Sequence, residues 1–214
     1  MKINEIFKSI EGEGIRTGAP VTFIRLYGCN LNCSYCDTRY SCTGEEYTEM
    51  NLSQVTKIVD AIGINKVTVT GGEPLMHEGV YELISDLAER GYEVNIETNG
   101  SIDIYPYLAM ENVIITMDWK SPSSGMNPFM LQMNVKYLRP NDVLKFVVGC
   151  AEDLKEMKAV LKNYQPNCHV FVSPVFGKIE PVDIVEYLLE NNLQNCRMQL
   201  QLHKLIWEPT KRGV

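Results

Sequence analysis

Runs of apolar residues that favour strands alternate along this chain with runs in which apolar residues recur at helical spacing. The pattern predicts strands at residues 21–27, 66–70, 92–98, 113–117, 143–148, 170–173 and 198–202. It predicts helices at residues 53–62, 79–90, 129–138, 151–163 and 181–191. Alternation of this kind is typical of βα units that build a mostly parallel sheet.

The number of units is too small for a closed barrel. A complete barrel of eight βα units takes about 250 residues, whereas this chain has 214. We therefore expect an α/β fold, an incomplete parallel β/α barrel of about six units. No linker-like segment divides the chain, so we expect one domain over residues 1–214. In such folds, ligand sites gather at the C-terminal ends of the strands.

Composition and charge limit the kinds of molecule with which this protein is expected to interact. The net charge is −7 and the pI is near 5.1, which argues against nucleic acid, because nucleic-acid affinity is built from clustered Lys and Arg. No stretch approaches the ~20 apolar residues that cross a bilayer, and the N-terminal residues lack the apolar core of a signal peptide. We expect a cytoplasmic protein that acts on a small molecule, with no nucleic-acid or membrane partner.

The seven cysteines are unevenly distributed. Cys150, Cys168 and Cys196 are scattered through the second half of the chain, and we interpret them as small core residues. The other four lie between residues 29 and 42. In a reducing compartment, clustered thiols are more often metal ligands than disulfide partners.

The predicted strand VTFIRLY leads into GCNLNCSYCDT, so Cys29, Cys33 and Cys36 follow the end of a strand. Three thiolates on a [4Fe-4S] cluster leave one iron open, and that iron can accept the amino and carboxylate groups of S-adenosylmethionine (SAM). Structural zinc is the alternative, with Cys42 as the fourth ligand that a closed tetrahedral site requires. In the cluster interpretation, Cys42 is not a ligand.

Polar motifs also follow the next three predicted strands. Residues 71–74 read Gly-Gly-Glu-Pro, where glycine lets the backbone approach a ligand closely. Residues 97–100 read Glu-Thr-Asn-Gly, and residues 118–122 read Asp-Trp-Lys-Ser-Pro. Each motif alone is equally consistent with an ordinary turn or a solvated loop. Their shared position at successive strand ends favours a binding site for SAM.

The cysteine spacing after the first predicted strand, followed by GGEP after the second, resembles the radical SAM superfamily. SIEGEG near the N-terminus, Cys-Asp-Thr after the third thiol and QLHKLIW near the C-terminus resemble the 7-carboxy-7-deazaguanine synthase (QueE) family. This resemblance implies a lyase that converts 6-carboxy-5,6,7,8-tetrahydropterin to 7-carboxy-7-deazaguanine with release of ammonia, on the route to queuosine and other 7-deazapurines. It also implies a [4Fe-4S] cluster, SAM, Mg²⁺, a flavodoxin- or ferredoxin-like electron donor and a homodimer.

The resemblance assigns site residues in four groups. The cluster ligands are Cys29, Cys33 and Cys36. The SAM contacts are Tyr35, Cys36, Asp37, Gly72, Asp118, Trp119 and Lys120. The substrate contacts are Ile10, Glu11, Gly12, Arg25 and Thr70, with Arg25 on the substrate carboxylate. The Mg²⁺ ligand is Thr38.

The chain departs from the family pattern at two places. Glu11 stands where many members have Gln or Asn, which can exchange a hydrogen-bond donor for an acceptor at the pterin edge. The segment WEPTKRGV continues past His203 and Lys204, whereas some members end soon after the corresponding pair.

Other interpretations remain open from the sequence. A glycyl-radical enzyme activase is also a short radical SAM protein, and a zinc-binding interaction module is the non-enzymatic alternative. Arg25 could instead pair with a structural carboxylate such as Glu13.

Overall fold

The computed structural model describes residues 1–44 and 46–214. Its strands are β1 (Lys2–Ile10), β2 (Pro20–Leu26), β3 (Thr48–Glu49), β4 (Lys66–Gly71), β5 (Glu93–Thr98), β6 (Val113–Trp119), β7 (Val143–Val148), β8 (His169–Pro174) and β9 (Cys196–Met198). Its α-helices are α1 (Leu52–Ile62), α2 (Val80–Glu89), α3 (Asn134–Tyr137), α4 (Ala151–Tyr164), α5 (Pro181–Glu190) and α6 (Leu202–Ile206).

The nine strands form one sheet in the order β3-β1-β2-β4-β5-β6-β7-β8-β9. The run from β2 to β9 is parallel throughout, while β1 pairs antiparallel with both β2 and β3. The sheet is an open, partial barrel, which confirms the predicted fold class. Near the opening, the backbone N–H of Gly14 donates to Gln199 Oε1 at 2.7 Å, so the loop after β1 contacts the segment after β9.

The two faces of the parallel strands differ in polarity. Alternate residues such as Val67 and Val69 on β4 are fully buried and belong to the hydrophobic core that packs against the helices. The intervening residues, including Thr68 and Thr70, are also buried but polar. The same alternation recurs on β7, where Lys145 lies between the fully buried Leu144 and Phe146. Since side chains alternate across a strand, the barrel interior is polar and the outer layer is apolar.

Local sequence explains where the helices begin and end. Helix α1 starts with a capping box, in which the Asn51 side chain accepts from the Gln54 backbone and the Gln54 side chain accepts from the Asn51 backbone. It ends at Gly63, which has a φ of 75°. Among the described residues, no helix is both long and apolar enough to cross a membrane.

Several predicted elements differ from the structure. Strand β1 was not predicted, because a register shift between Ile3 and Glu5 interrupts its alternation of polar and apolar residues. The prediction of a strand at 198–202 is wrong, since β9 ends at Met198 and Leu202 begins α6. The predicted helix at 129–138 is reduced to α3, whose Asn134 side chain donates to the carbonyls of Gly100 and Ile102.

Candidate active site

One open cavity of about 1110 Å³ lies at the C-terminal ends of the parallel strands. Among the predicted site residues, all but Trp119 line it: Ile10, Glu11, Gly12, Arg25, Cys29, Cys33, Tyr35, Cys36, Asp37, Thr38, Thr70, Gly72, Asp118 and Lys120. The structure therefore brings the three thiols, the polar strand ends and Arg25 into one space.

The loop with the three thiols is held by the segment that follows β6. The backbone N–H of Ser34 donates to Ser124 O at 3.0 Å, and its hydroxyl donates to Ser123 O at 2.7 Å. The Asn99 side chain approaches Cys29 Sγ at 3.7 Å. A loop anchored in this way can present several thiols to one inorganic cluster.

The four clustered thiols differ in acidity. A hydrogen bond with Cys42 lowers the pKa of both Cys29 and Cys36 to about 6. Burial raises the pKa of Cys33, and the contacts with Cys29 and Cys36 raise that of Cys42 far more. Cys29 and Cys36 are thus the more readily ionised thiols, and the thiolate is the form that binds iron, while Cys42 favours its protonated form. The set fits a [4Fe-4S] cluster held by Cys29, Cys33 and Cys36.

The glycines of the GGEP motif dock the end of β4 against this loop. A Cβ on Gly72 would lie 2.3 Å from Gly28 O and 2.7 Å from Cys29 Cβ. The next residue, Glu73, is fully buried, and its backbone N–H donates to Gly28 O at 2.9 Å. Only glycine at position 72 allows the two segments to lie this close together.

The carboxyl group of Glu73 links the ends of β4 and β5. Its Oε1 accepts from the Leu75 backbone at 3.0 Å and from the Thr98 hydroxyl at 2.8 Å, and its Oε2 accepts from the Asn99 backbone at 2.7 Å. Burial raises the pKa of Glu73 to about 7 even though these hydrogen bonds oppose the rise. The motifs GGEP and ETNG therefore form one connected unit.

A buried charge network crosses the barrel interior. Asp118 on β6 binds Lys120 Nζ at 3.0 Å and Lys145 Nζ at 3.0 Å. Lys145 Nζ also lies 3.2 Å from Glu13 Oε2. Burial alone would lower the pKa of Lys145, but Asp118 and Glu13 raise it well above its usual value. Asp118, Lys120 and Lys145 stay charged near neutral pH and can orient a polar ligand.

Arg25 pairs with Glu5 and not with Glu13, the structural carboxylate suggested by the sequence. Arg25 Nε donates to Glu5 Oε1 at 2.7 Å, and the Arg25 side chain is 13% exposed. Within the described residues, its two terminal nitrogens have no hydrogen-bond partner. Because Arg25 lines the cavity, this free edge of the guanidinium group is available to an anion.

Glu11 is buried at the base of the cavity, 2% exposed. Its Oε2 accepts from Arg16 at 3.0 Å and from the Thr68 hydroxyl at 2.6 Å. Burial, followed by the charge of Glu97, raises its pKa to about 7. Glu11 is thus paired with a cation, Arg16, that follows it in the same loop.

Helix α6 closes one side of the cavity. Lys204 Nζ binds Asp37 Oδ2 at 2.7 Å, and a Cβ on Gly12 would lie 2.2 Å from His203 Nδ1. Desolvation opposes the ionisation of Asp37, but the Lys204 ammonium holds its pKa below the usual value. The HK pair near the C-terminus therefore contacts both the Cys-Asp-Thr segment and the SIEGEG segment.

Trp119 lies apart from the other predicted residues. Its side chain is 3% exposed and packs in the outer core, with ring centroids 6.5 Å from Phe146 and 6.3 Å from Tyr164. The side chain alternates to the opposite face from its neighbour Asp118. Any contact of Trp119 with a ligand in the cavity would have to come from its main chain.

Glu5, Tyr40 and Lys145 line or support the cavity but are not among the residues predicted from the sequence. A lysine within the apolar strand VLKFVV was a usable signal for Lys145, because a buried lysine requires a partner. The three scattered cysteines do not share one environment. Cys168 and Cys196 pack against the core, whereas Cys150 directly precedes the first turn of α4.

Comparisons with known proteins agree with this geometry. The family model described as "Radical SAM superfamily" matches residues 23–130. A 7-carboxy-7-deazaguanine synthase of Clostridium acetobutylicum is 42% identical over 218 residues, which cover 100% of this chain and 99% of the relative. The chain belongs to the 7-carboxy-7-deazaguanine synthase family of radical SAM enzymes. A synthase of Methanospirillum hungatei is also 42% identical, over 98% of this chain and 86% of the relative.

A solved structure of a family member has the same fold. QueE from Escherichia coli superposes with a TM-score of 0.76 at 23% identity, covering 94% of each chain. Streptococcus suis SuiB bound to S-adenosylmethionine superposes at 0.59 with 14% identity, covering 84% of this chain and 46% of that one. At these sequence identities, both superpositions show that the fold is shared and nothing more. The predicted family and enzyme class are confirmed, and the interpretation as a zinc-binding module is wrong.

Proposed function

We propose that this synthase-family enzyme converts 6-carboxy-5,6,7,8-tetrahydropterin to 7-carboxy-7-deazaguanine with release of ammonia. The observation that carries the proposal is that Arg25 lines the same cavity as Cys29, Cys33 and Cys36. A group generated at the thiol end can therefore reach a carboxylate-bearing substrate held at the arginine end. Membership of the radical SAM superfamily implies that a [4Fe-4S] cluster and SAM take part.

The thiol end would hold the cofactors. Cys29, Cys33 and Cys36 bind the cluster, and Tyr35, Cys36, Asp37, Gly72, Asp118 and Lys120 contact SAM, with the main chain of Trp119. When bound, the cluster and SAM would supply radical chemistry, with hydrogen-atom abstraction from the substrate. The strand-end carboxylate of Asp118 is kept ionised by Lys120 and Lys145, which suits it to accept from hydroxyl or ammonium donors of SAM.

The arginine end would hold the substrate. The free edge of Arg25 forms the bidentate pair with the substrate carboxylate, and Thr70 on the neighbouring strand contacts the ring. Ile10, Glu11 and Gly12 form the turn beneath it. Because the pKa of Glu11 is about 7, its free oxygen can accept from a pterin N–H when ionised and donate when protonated.

Mg²⁺ would bind at Thr38. Thr38 would supply one oxygen ligand, and it lines the cavity with its Oγ1 3.8 Å from Cys36 Sγ. A hard cation prefers octahedral oxygen ligands, so substrate and water would complete the shell. The cation would hold the carboxylate and ring carbonyl in place during the rearrangement.

A flavodoxin- or ferredoxin-like donor would reduce the cluster, and the enzyme would act as a homodimer. The exposed face of α5 supports self-association. Val182, Val185 and Leu189 are 56%, 39% and 72% exposed, and their spacing places them on one side of the helix. Sedimentation of the reconstituted protein at several concentrations tests this point.

The activity is tested by anaerobic incubation of reconstituted enzyme with reductant, SAM and 6-carboxy-5,6,7,8-tetrahydropterin. We expect deazapurine product and ammonia in equal amounts, with SAM largely conserved. Chelation should lower the rate, Mg²⁺ should restore it, and Thr38→Ala should require more Mg²⁺. 5'-Deoxyadenosine formed only when a partner protein is added would instead favour a glycyl-radical enzyme activase.

A further inference from the structure

The segment 209–214, which follows α6, lines the cavity beside Arg25 and Tyr40. None of its residues belongs to the proposed cofactor or substrate contacts. The backbone N–H of Lys211 donates to Glu208 O at 2.9 Å, which turns the chain back toward the cavity. We call residues 209–214 the C-terminal strap.

Arg212 connects the C-terminal strap to Tyr40, which lines the cavity, and to Glu46. Its guanidinium carbon lies 3.8 Å from the centroid of the Tyr40 ring, which is stacking distance. Its Nη1 lies 2.8 Å from Glu46 Oε2. The planar guanidinium group suits this combination of ring stacking and ion pairing better than the point charge of a lysine would.

Tyr40 is connected to Arg25 through the carboxylate of Glu5. The Tyr40 hydroxyl donates to Glu5 Oε1 at 2.9 Å, and Arg25 Nε donates to the same oxygen at 2.7 Å. The Arg25 guanidinium carbon is 6.0 Å from the Tyr40 ring and 5.8 Å from the Phe7 ring. Burial, with a smaller contribution from Glu5, raises the pKa of Tyr40 to about 12, so the hydroxyl remains a donor near neutral pH.

These contacts fix which edge of Arg25 is free. Since Nε is engaged by Glu5, the two terminal nitrogens are left for a ligand in the cavity. We propose that Arg212 is a positioning residue that acts through Tyr40 and Glu5 to aim this edge of Arg25 at the substrate carboxylate. The inference rests on the proposed function, because it takes a carboxylated pterin as the substrate.

The test uses reconstituted enzyme with SAM and two non-reacting probes, 6-carboxypterin and pterin without the carboxylate. Their dissociation constants are measured anaerobically by calorimetry. We expect Arg212→Ala to weaken 6-carboxypterin binding about two- to fivefold, and Tyr40→Phe to weaken it about tenfold. Binding of pterin, iron content and SAM binding should be unchanged. Arg212→Lys should restore part of the loss.

A double variant shows whether the effect passes through Arg25. In an Arg25→Ala background, adding Arg212→Ala should cause no further loss of 6-carboxypterin binding. The matched control is Arg90→Ala, because Arg90 also pairs with a carboxylate, Asp60, and approaches a ring, that of Tyr92, but does not line the cavity. This control should bind both probes as the unaltered enzyme does.

The possible outcomes separate the two proposals. Equal weakening of both probes by Arg212→Ala, an additive loss in the double variant, or no change in any Arg212 variant would overturn the positioning role. If the unaltered enzyme discriminates poorly between 6-carboxypterin and pterin, the substrate assignment itself fails, and the positioning role fails with it.

Discussion

Gly72 and Cys29 lie so close that a Cβ on Gly72 would be 2.7 Å from the Cβ of Cys29. The same added atom would be 2.3 Å from Gly28 O, which is backbone and cannot move aside as a flexible side chain can. The GGEP motif and the cysteine loop are therefore packed against each other as one unit. The spacing of the first thiol from the rest of the site depends on the absence of a side chain at position 72.

Gly72→Ala should displace the loop at Cys29 and reduce the iron retained after anaerobic reconstitution. The matched control is Gly149→Ala, because the nearest atom to an added Cβ there is 3.4 Å away. Iron and sulfide analysis of both variants checks the prediction. Full iron content in Gly72→Ala would show that the close approach is not required for cluster assembly.

The three cluster ligands should differ sharply from Cys42. Replacing Cys29, Cys33 or Cys36 by Ala should abolish cluster assembly, because two thiolates hold a four-iron cube poorly. Cys42→Ala should retain the cluster, although it removes the hydrogen bond that lowers the pKa of Cys29 and Cys36. Iron, sulfide and zinc are measured for each variant. Loss of zinc affinity in Cys42→Ala, in a protein that never holds iron, would contradict the cluster assignment.

Arg25→Ala should weaken substrate binding at least about 30-fold, since losing one partner of a desolvated charge pair costs about 2–5 kcal/mol. Arg25→Lys should recover only part of the lost substrate affinity, because a lysine cannot form the bidentate pair. Substrate dissociation constants, SAM binding and iron content are compared. If Arg25→Ala binds substrate normally but melts at a much lower temperature, the pair with Glu5 is purely structural.

Glu73 should give the protein a measurable pH dependence of stability. Its pKa is about 7 in the folded protein, above the ordinary value of 4.5. Between these values the folded state binds more protons than the unfolded state, so this contribution to stability falls as the pH rises. The difference in unfolding free energy between the unaltered enzyme and Glu73→Gln should therefore decrease from pH 4.5 to pH 7. A difference that stays constant by chemical denaturation would show that Glu73 does not titrate there.

The sequence could predict the parallel core and the position of the site because both follow from local patterns. Strand β4 alternates Val with Thr and β7 is apolar except at Lys145, patterns that favour strands. The motifs fall directly after strands, where parallel topology gathers them. Glu5 and Tyr40 could not be found in this way. Their contacts with Arg25 depend on the antiparallel pairing of β1 with β2 and on the path of the cysteine loop.

The direction of each side chain also limited what the sequence could predict about the site. Asp118 and Trp119 belong to one motif, yet the strand sends Asp118 into the cavity and Trp119 into the outer core. Lys145 lies on a strand with no recognisable motif, and only the assembled sheet brings it within 3.0 Å of Asp118. The edge strand β9 is fixed by the single partner β8, so its short length could not be read from apolar content.

The central claim is that the thiol end and the arginine end of one cavity act on the same substrate molecule. The most direct test is to supply 6-carboxy-5,6,7,8-tetrahydropterin with deuterium at C6 and to follow the label by mass spectrometry during anaerobic turnover. The account predicts that deuterium appears in SAM or 5'-deoxyadenosine as 7-carboxy-7-deazaguanine forms. Deazapurine formation with no deuterium in either cofactor species would contradict it.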